Sequence, residues 1–309
     1  MIYFTQAELD RFIEEDVPYH DETTHALGID AELGELSFAA KKEGFVLCGS
    51  EEAARMAQSL GACVTLSRPS GRWIAPGEVF LCLEGTAACL HKVWRAALVM
   101  METASGVATR TRAMVDAAGE AHPNVRVATT RKAPPGLRKL MFKAVLAGGG
   151  TIHRAGLSET LLVFEQHRVF LANEPLARTF ARLHRASPEK KIMIEADSLD
   201  EALAYAYAGA DVIQLEKIPL DALPATVQVL RARFPRLIVS ATGGITVQNV
   251  AAHAASGADL LVTSHPYHAP PADIRASMQP VGAKSDDTLG TPGCLGERLS
   301  SRECYHDVE

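Results

Sequence analysis

From about residue 125 onward, short apolar runs rich in β-forming residues alternate with helical stretches. Six such runs recur along the chain, at residues 125–129, 160–165, 192–197, 211–216, 237–242 and 259–264. Two of the helical stretches end at Gly209 and Gly257, each followed by Ala-Asp and the next apolar run, and glycine is typical of a helix C-cap. The alternation predicts parallel β–α units, which form either a barrel or an open, doubly wound sheet.

The ends of these predicted strands favour the barrel. Charged residues, glycines and a serine fall at or just beyond the carboxyl ends of the strands, namely Arg131, Lys132, Glu195, Glu216, Gly243, Gly244 and Ser264. A parallel barrel gathers these ends on one face, where enzymes of this architecture have their active sites. The repetition favours a site on that face over the alternative, which is a set of ordinary polar strand ends.

A basic, glycine-rich segment follows the first predicted strand. The sequence T-T-R-K-A-P-P-G-L-R at 129–138 leads through an apolar helix to G-G-G-T-I-H-R-A-G at 148–156. The segment brings four groups that are cationic, or can become so, into one strand–helix–loop unit: Arg131, Lys132, His153 and Arg154. Arginine offers a planar fork and lysine a point charge to carboxylate or phosphate, so we predict an anion pocket here. The alternatives are a solvated basic turn and, for His153, a structural histidine.

Composition and charge exclude several classes of protein. A net charge of −6 over 309 residues gives no support to general nucleic-acid binding. The N-terminal residues lack the basic start and apolar run of a signal peptide, and no window approaches about 18 uninterrupted apolar residues, so we expect a cytoplasmic protein without a membrane span. The six cysteines show no C-x-x-C spacing that would indicate zinc. We interpret the pair His265 and His268 as incidental, since it lacks a third metal ligand.

The domain organisation follows from changes in this pattern. Residues 1–103 combine helical segments with short β-like pieces and predict a smaller α+β unit, which ends in a long apolar helix. The barrel is predicted over 104–266, and 267–281 form a segment that returns to the N-terminal domain. Residues 282–309 are rich in Gly, Ser, Asp and Arg without apolar periodicity, which predicts a disordered tail.

Five motifs in a fixed order carry a family resemblance. They are W-R-A-A-L at 94–98, A-S-G-V-A-T at 104–109, T-R-K-A-P-P-G-L-R at 130–138, G-G-G-T-I-H-R-A-G-L at 148–157 and T-G-G-I at 242–245. Together they resemble the quinolinate phosphoribosyltransferases, the carboxylating nicotinate-nucleotide diphosphorylases, over about residues 5–275. Within that superfamily the sequence looks most like the ModD-type pyrophosphorylases associated with molybdenum-transport genes.

The resemblance implies a fold, an assembly and a reaction. The fold is an N-terminal α/β sandwich domain plus an incomplete parallel α/β barrel, as in type II phosphoribosyltransferases. The assembly is a homodimer with shared active sites, in which each sandwich domain closes the partner's barrel. The reaction transfers phosphoribosyl from phosphoribosyl pyrophosphate (PRPP) to a ring nitrogen of an acidic aromatic acceptor, and Mg²⁺ binds the pyrophosphate that is released.

The resemblance also implies a role for each matching residue. Three residues are implied to be catalytic, namely Lys132, Glu195 and Glu216. The two glutamates are implied to face the ribose hydroxyls or the metal-bound pyrophosphate. The acceptor pocket is implied to contain Arg131, His153, Arg154, Phe164 and, donated across the dimer, Arg95. Two loops that hold the 5′-phosphate are implied to contain Thr242, Gly243, Gly244, Thr263, Ser264 and His265.

Departures from the family pattern concentrate on the acceptor side. Phe164 replaces a pocket lysine, Ile152 an asparagine and Glu159 an aspartate, while Ser264 replaces a phosphate-loop glycine. An aromatic ring in place of a cation removes a partner for one of the two carboxylates of quinolinate, so the sequence disfavours quinolinate as the acceptor. The alternative hypothesis is a non-catalytic relative that binds a phosphorylated ligand or an oxyanion in molybdenum metabolism.

Overall fold

The structure, a computed structural model, describes residues 2–171 and 174–281. The predicted disordered tail, 282–309, therefore lies outside the described residues. The elements in chain order are α1 (Gln6–Asp16), α2 (Glu22–Leu27), β1 (Leu33–Ala40), β2 (Phe45–Val46), α3 (Ser50–Ser59), β3 (Cys63–Ser67), β4 (Trp73–Ile74), β5 (Val79–Thr86), α4 (Ala87–Ala121), β6 (Arg126–Thr129), α5 (Arg138–Ala147), β7 (Thr151–Ile152), β8 (Leu161–Val163), α6 (Glu165–Arg168), α7 (Leu176–Ala186), β9 (Ile192–Ala196), α8 (Leu199–Ala208), β10 (Val212–Glu216), α9 (Leu223–Arg233), β11 (Ile238–Thr242), α10 (Val250–Ala255), β12 (Leu260–Thr263), a 3₁₀ turn (His265–His268) and β13 (Ile274–Pro280).

The chain forms two compact units. Among the described residues, the first unit contains 2–109, 139–147 and 269–281. The second contains 110–138 and 148–268, apart from the two residues that are not described. Helix α5 lies inside the sequence range predicted for the barrel, yet it groups with the first unit.

The first unit is built on an antiparallel sheet with strand order β13-β1-β5-β3. Strand β1 pairs with β13 from Gly34↔Pro280 to Ala40↔Ile274, so the return segment completes this sheet. Helix α3 packs against β3 and β5. The rings of Phe38 and Phe45 lie 6.5 and 5.8 Å from that of Phe80, and all three side chains are buried.

The long apolar helix at the end of the first domain is predicted from the sequence over about 87–101. Helix α4 extends beyond it, because the A-S-G-V-A-T motif continues the helix instead of ending it. Small residues in this motif allow other backbone segments to approach. A Cβ at Gly106 would collide with the carbonyl oxygen of Pro270. The hydroxyls of Ser105 and Thr109 accept hydrogen bonds from the backbone N–H groups of Cys48 and Val46, each at 2.9 Å.

The second unit contains a seven-stranded parallel sheet in the order β7-β6-β12-β11-β10-β9-β8. Strands β7 and β8 are its two edges and do not pair, so the predicted incomplete barrel is confirmed. A buried apolar cluster fills the space between these strands and their helices, with Ile194, Ile213, Val239 and Leu261 among its members. No helix within 2–171 or 174–281 is long and apolar enough to cross a membrane.

The ends of two helices in this unit can be compared with the sequence pattern. Helix α8 ends as predicted, with Gly209 in the left-handed conformation at φ 104°. The sequence predicts the next helix from about Val247, but helix α10 begins at Val250, because Asn249 organises a turn before it. The Asn249 side chain accepts from the Thr246 N–H at 2.8 Å and donates to the Gly244 carbonyl at 2.9 Å.

Candidate active site at the carboxyl edge of the half-barrel

The period-two alternation of the strands gives the sheet one face toward its helices and one concave face. On β9, Ile192, Ile194 and Ala196 belong to the helix-facing core, whereas Met193 packs with Leu162 and Val212 on the other face. Residues two positions further along share the face of Met193 and Val212. This face therefore changes from apolar at the amino ends of the strands to polar at the carboxyl ends.

The strand register brings the predicted acidic residues together at that polar end. Glu195 of β9 lies opposite Gln214 of β10, and Glu216 lies opposite Thr242 of β11. The amide of Gln214 donates to the Glu195 carboxylate at 2.7 Å. Both glutamates are half-buried. Two carboxylates on neighbouring strands thus face the same space.

Several charged groups around Glu195 and Glu216 shift the pKa of Glu195. Burial raises the pKa of Glu195, and the negative charge of Glu216 raises it further. The ammonium groups of Lys132 and Lys217 oppose that rise. The structure therefore places the three predicted catalytic residues within electrostatic range of one another, and it adds a second lysine.

Lys217 is the residue that sequence reasoning missed. It is the single non-glycine residue with positive φ, 54°, in the part of the chain that the structure describes. Its Nζ lies 3.2 Å from Oε1 of Glu216, and its backbone N–H donates to the Thr242 carbonyl at 2.9 Å. The sequence does show a lysine directly after a strand-end glutamate, but nothing in the sequence signals its backbone conformation.

The two predicted phosphate loops flank these residues. The Thr242 hydroxyl donates to the Val262 carbonyl at 3.0 Å, and the Thr263 hydroxyl donates to the Ile245 carbonyl at 2.8 Å. Both hydroxyls therefore hold the loops together. Within the described residues, the backbone N–H groups of Gly243 and Gly244 donate to no protein acceptor, so they are the donors that an anion can reach.

The second loop continues through Ser264 into the 3₁₀ turn. Thr263 also accepts the backbone N–H of His265 at 3.0 Å. Burial lowers the pKa of His265, and the charge of Arg110 lowers it further. The Arg110 guanidinium donates to the His265 carbonyl at 3.4 Å. The predicted phosphate residues therefore form two adjacent turns, at the ends of β11 and β12.

Arg154 is a buried charged residue of this unit. Its side chain is only 5% exposed, and its Nε has no hydrogen-bond partner among the described residues. Burial lowers the pKa of the guanidinium, and the nearby charge of Arg131 lowers it further. A buried, incompletely paired guanidinium next to a second arginine is stabilised by an anionic ligand.

His153 is a neutral group at neutral pH. Burial, assisted by the charge of Arg154, lowers the pKa of His153 to about 4. Its Nε2 lies 3.2 Å from the sulfur of Met193. His153 therefore adds no positive charge to the pocket, although it was predicted as one of four groups that could be cationic.

Phe164 forms an apolar wall beside these groups. It packs against the cluster of Leu162, Met193 and Val212, and its ring stacks on His167 with centroids 5.7 Å apart and an interplanar angle of 19°. The Phe164 backbone N–H donates to Nδ1 of His167 at 3.0 Å. The wall is therefore apolar and uncharged where the family resemblance implies a lysine.

Arg95 is the predicted site residue that this cluster does not include. It lies on α4 within the first compact unit, is exposed, and has its guanidinium 4.6 Å from the ring centroid of Trp94. Its implied contribution to a partner's site stays a prediction.

A parallel half-barrel with paired carboxylates, lysines and arginines at its carboxyl edge defines a type II phosphoribosyltransferase-like protein. Two family models together cover most of the chain. The quinolinate phosphoribosyl transferase N-terminal domain matches residues 21–105, and the C-terminal domain of the same family matches residues 107–277. The chain therefore belongs to the quinolinate phosphoribosyltransferase family, which confirms the resemblance read from its motifs.

Individual relatives agree with this assignment. The chain is 43% identical over 251 residues to the Rhodobacter capsulatus protein named "Putative pyrophosphorylase ModD", which covers 81% of this chain and 96% of the relative. It is 33% identical over 244 residues to the human nicotinate-nucleotide pyrophosphorylase (carboxylating), covering 79% of this chain and 81% of that protein. The crystal structure of NadC from Streptococcus pyogenes shares the fold, with a TM-score of 0.81 at 24% identity over 91% of this chain and all of that one (100%).

Proposed function

We propose that this protein is a phosphoribosyltransferase that transfers phosphoribosyl from PRPP to a ring nitrogen of an acidic aromatic acceptor and releases pyrophosphate. The observation that carries the proposal is the pair of Glu195 and Glu216 on adjacent strands, with Lys132 and Lys217 within electrostatic range. The free N–H groups of the loop at Gly243 lie at the end of the next strand. This arrangement suits a ligand that is both a sugar and a phosphate ester.

The chemistry needs opposite charges at two places. Displacement of pyrophosphate from C1 of the ribose develops positive, oxocarbenium-like character on the sugar ring. Carboxylates beside the ring stabilise that charge, which is the role we give to Glu195 and Glu216. The departing pyrophosphate gains negative charge, and Lys132 stabilises it. Fixing the 5′-phosphate on the two loops orients C1 toward the acceptor nitrogen, which attacks with its lone pair as the C1–O bond breaks.

The donor set at this edge fits Mg²⁺ that arrives with the substrate. Within 2–171 and 174–281, no group of three or more His, Cys, Asp or Glu side chains is placed to hold a metal. Mg²⁺ usually binds through one or two carboxylates together with substrate phosphates and water. Glu195 and Glu216 supply such carboxylates. When bound, Mg²⁺ would neutralise charge on the departing pyrophosphate.

The acceptor pocket suits one carboxylate and not two. Arg131 and Arg154 can grip a single carboxylate through charge-assisted hydrogen bonds. A second carboxylate facing Phe164 would be desolvated against an apolar wall without a partner, which costs on the order of several kcal/mol. Each ~1.4 kcal/mol is a factor of ten in rate, so we expect slow turnover of quinolinate. We infer an acceptor with one carboxylate and an apolar or aromatic group on the side of Phe164.

A second candidate function is favoured by Arg154. Its buried and incompletely paired guanidinium, together with the N–H groups of Gly243 and Gly244, would hold a phosphorylated ligand or an oxyanion without any group transfer. A protein of this kind would act as a binding component in molybdenum metabolism. The two functions differ in one result, because only the enzyme releases pyrophosphate from PRPP.

The active site is proposed to be shared in a homodimer. Arg95 belongs to the other compact unit, yet the resemblance implies that it serves a neighbouring barrel. Mixing Arg95→Ala protein with Glu216→Gln protein should restore activity, since mixed dimers contain one intact site. Each variant alone serves as the control. Absence of rescue after confirmed subunit exchange would refute the shared site.

Calorimetry tests the phosphoribosyl part of the proposal. With Mg²⁺ present, PRPP should bind with a micromolar dissociation constant, about −8 kcal/mol. Gly243→Asp should abolish binding, because it places a carboxylate against the phosphate and its Cβ displaces Lys217. Undiminished PRPP binding by that variant would show that this loop does not hold the phosphate.

A further inference from the structure

Lys217 has a backbone conformation that a lysine rarely adopts. A φ of 54° lies in the left-handed region, which residues with a Cβ rarely adopt because the Cβ comes too close to the following carbonyl oxygen. Residues held in this way persist only where the surrounding structure fixes them, and they cluster at ligand sites. Three contacts fix Lys217, all at the carboxyl ends of β10 and β11.

The first two contacts join Lys217 to its strand neighbours. Its N–H donates to the Thr242 carbonyl at 2.9 Å, which ties the end of β10 to the end of β11. Its Nζ lies 3.2 Å from the Glu216 carboxylate. The lysine side chain is 76% exposed, so its ammonium remains accessible from solvent while it lies beside the carboxylate.

The third contact involves the phosphate loop. A Cβ at position 243 would meet Cγ of Lys217 at 2.5 Å, its backbone nitrogen at 3.0 Å and its Cα at 3.3 Å. The absence of a side chain at Gly243 therefore allows the stem of Lys217 to pack against the loop. Lys217 thus contacts the phosphate loop through its stem and the Glu216 carboxylate through its ammonium.

We propose that Lys217 is a phosphate-binding residue of this site, whose ammonium contacts a phosphate oxygen of PRPP. The proposal rests on the proposed function, since it assigns a further residue to the same PRPP site. It makes Lys217 the counterpart of Lys132, so that one ammonium approaches the carboxylate pair from the loop after β6 and the other from the end of β10. A flexible point charge on an exposed stem is well suited to a phosphate group.

The phosphate in question could be the 5′-phosphate or the pyrophosphate of PRPP. Both present the same oxyanion chemistry to an ammonium group. Two probes separate them, namely ribose 5-phosphate and inorganic pyrophosphate with Mg²⁺. PRPP itself tests both parts together.

The test compares four substitutions by calorimetry on the full-length protein. Lys217→Met removes the charge and keeps a long stem, whereas Lys217→Arg keeps the charge. Lys191→Met is the matched control, because Lys191 is also exposed but precedes β9 at the opposite, amino end of the strands. Lys217→Gly removes both the charge and the unfavourable backbone conformation, so it is measurable even if Lys217→Met folds poorly.

We expect Lys217→Met and Lys217→Gly to weaken PRPP binding by about tenfold to a hundredfold, the range of one charge-assisted hydrogen bond. If only pyrophosphate binding is weakened to the same extent, Lys217 contacts the leaving group. If only ribose 5-phosphate binding is weakened, Lys217 contacts the 5′-phosphate. Lys217→Arg and Lys191→Met should bind PRPP within about threefold of the unmodified protein. The salt dependence of binding should also weaken when the charge at 217 is removed.

Two outcomes distinguish failure of this inference from failure of the proposed function. If the unmodified protein binds PRPP and Lys217→Met binds it as well as Lys191→Met does, Lys217 is not a phosphate ligand. If the unmodified protein binds neither PRPP nor either probe, the proposed function itself fails.

Discussion

The contact between Gly243 and Lys217 leads to a prediction for which the neighbouring Gly244 is the control. Gly243 and Gly244 are consecutive, and both have positive φ, at 95° and 70°. Their surroundings differ. A Cβ at position 243 would lie 2.5 Å from Lys217, whereas a Cβ at position 244 would meet nothing within 4 Å. Substitution by alanine therefore adds backbone strain at both positions but a steric clash at only one.

The expected magnitudes follow from these two terms. An alanine with left-handed φ costs roughly 1–2 kcal/mol of folding free energy, which is the whole effect expected for Gly244→Ala. Gly243→Ala should lose the same amount plus roughly 1–3 kcal/mol for overpacking, because the displaced atoms include the Lys217 backbone as well as its side chain. The free energies of unfolding of the two variants should thus differ by at least about 1 kcal/mol.

Urea unfolding of the two variants and the unmodified protein, followed by circular dichroism, measures this difference. The slopes of the transitions should be equal, so that the midpoints report stability alone. Gly243→Ala should also weaken PRPP binding, because it displaces Lys217. Equal destabilisation of the two variants would refute the close packing of Lys217 on the loop and remove one support for its role.

Three further predictions concern other parts of the molecule. Lys143→Met should destabilise the first unit by about 3–5 kcal/mol in urea unfolding, because it leaves Glu51 and Glu52 without their ion-pair partner. Burial alone would raise the pKa of Glu51, but hydrogen bonds from its partners lower it to about 2. The stability that these bonds to Glu51 supply should therefore be complete above about pH 5 and fall as the pH drops toward 2. Lys143→Met should weaken that dependence but not abolish it, because the hydroxyl and the N–H of Ser70 still donate to the Glu51 carboxylate. Arg154→Leu should abolish acceptor binding in calorimetry yet change the stability of the free protein by less than about 1 kcal/mol, since it replaces an incompletely paired buried cation with an apolar side chain. Phe164→Lys should increase quinolinate turnover at least tenfold in a steady-state assay, because it restores a partner for the second carboxylate.

Each of these predictions has a result that would contradict it. A Lys143→Met protein with unchanged stability would show that the ion pairs contribute nothing net. Strong destabilisation by Arg154→Leu would make Arg154 a structural residue instead of a ligand for an anion. Rapid quinolinate turnover by the unmodified protein would refute the interpretation of Phe164.

The barrel strands could be predicted from the sequence because both their pattern and their connections are local. All six predicted apolar runs form strands, namely β6, β8, β9, β10, β11 and β12. Strand β7 was not predicted, since two residues are too short for an apolar run, and it pairs only with β6. Helix α5 falls within the sequence range predicted for the barrel. It groups with the first unit because Lys143 on this helix forms ion pairs with Glu51 and Glu52, and sequence position alone does not reveal such contacts.

The acidic pair of the site could be predicted for a similar reason. Strand ends in a parallel sheet lie at one edge, so Glu195 and Glu216 are brought together by the register alone. Lys217 could not be predicted in this way, because its place depends on a left-handed backbone and on the approach of Gly243. The neutral state of His153 also depends on burial and on the neighbouring charge of Arg154, which only the folded chain defines.

Release of pyrophosphate is the measurement that tests the central claim most directly. The protein is incubated with PRPP, Mg²⁺ and a panel of pyridine, pyrimidine and pterin acids that carry one carboxylate, with quinolinate for comparison. We predict acceptor-dependent release of pyrophosphate with a monocarboxylate, slower release with quinolinate, and none from a Glu216→Gln protein. Binding of PRPP without pyrophosphate release for any acceptor in the panel would contradict the transferase and leave the protein as a binder of phosphorylated ligands.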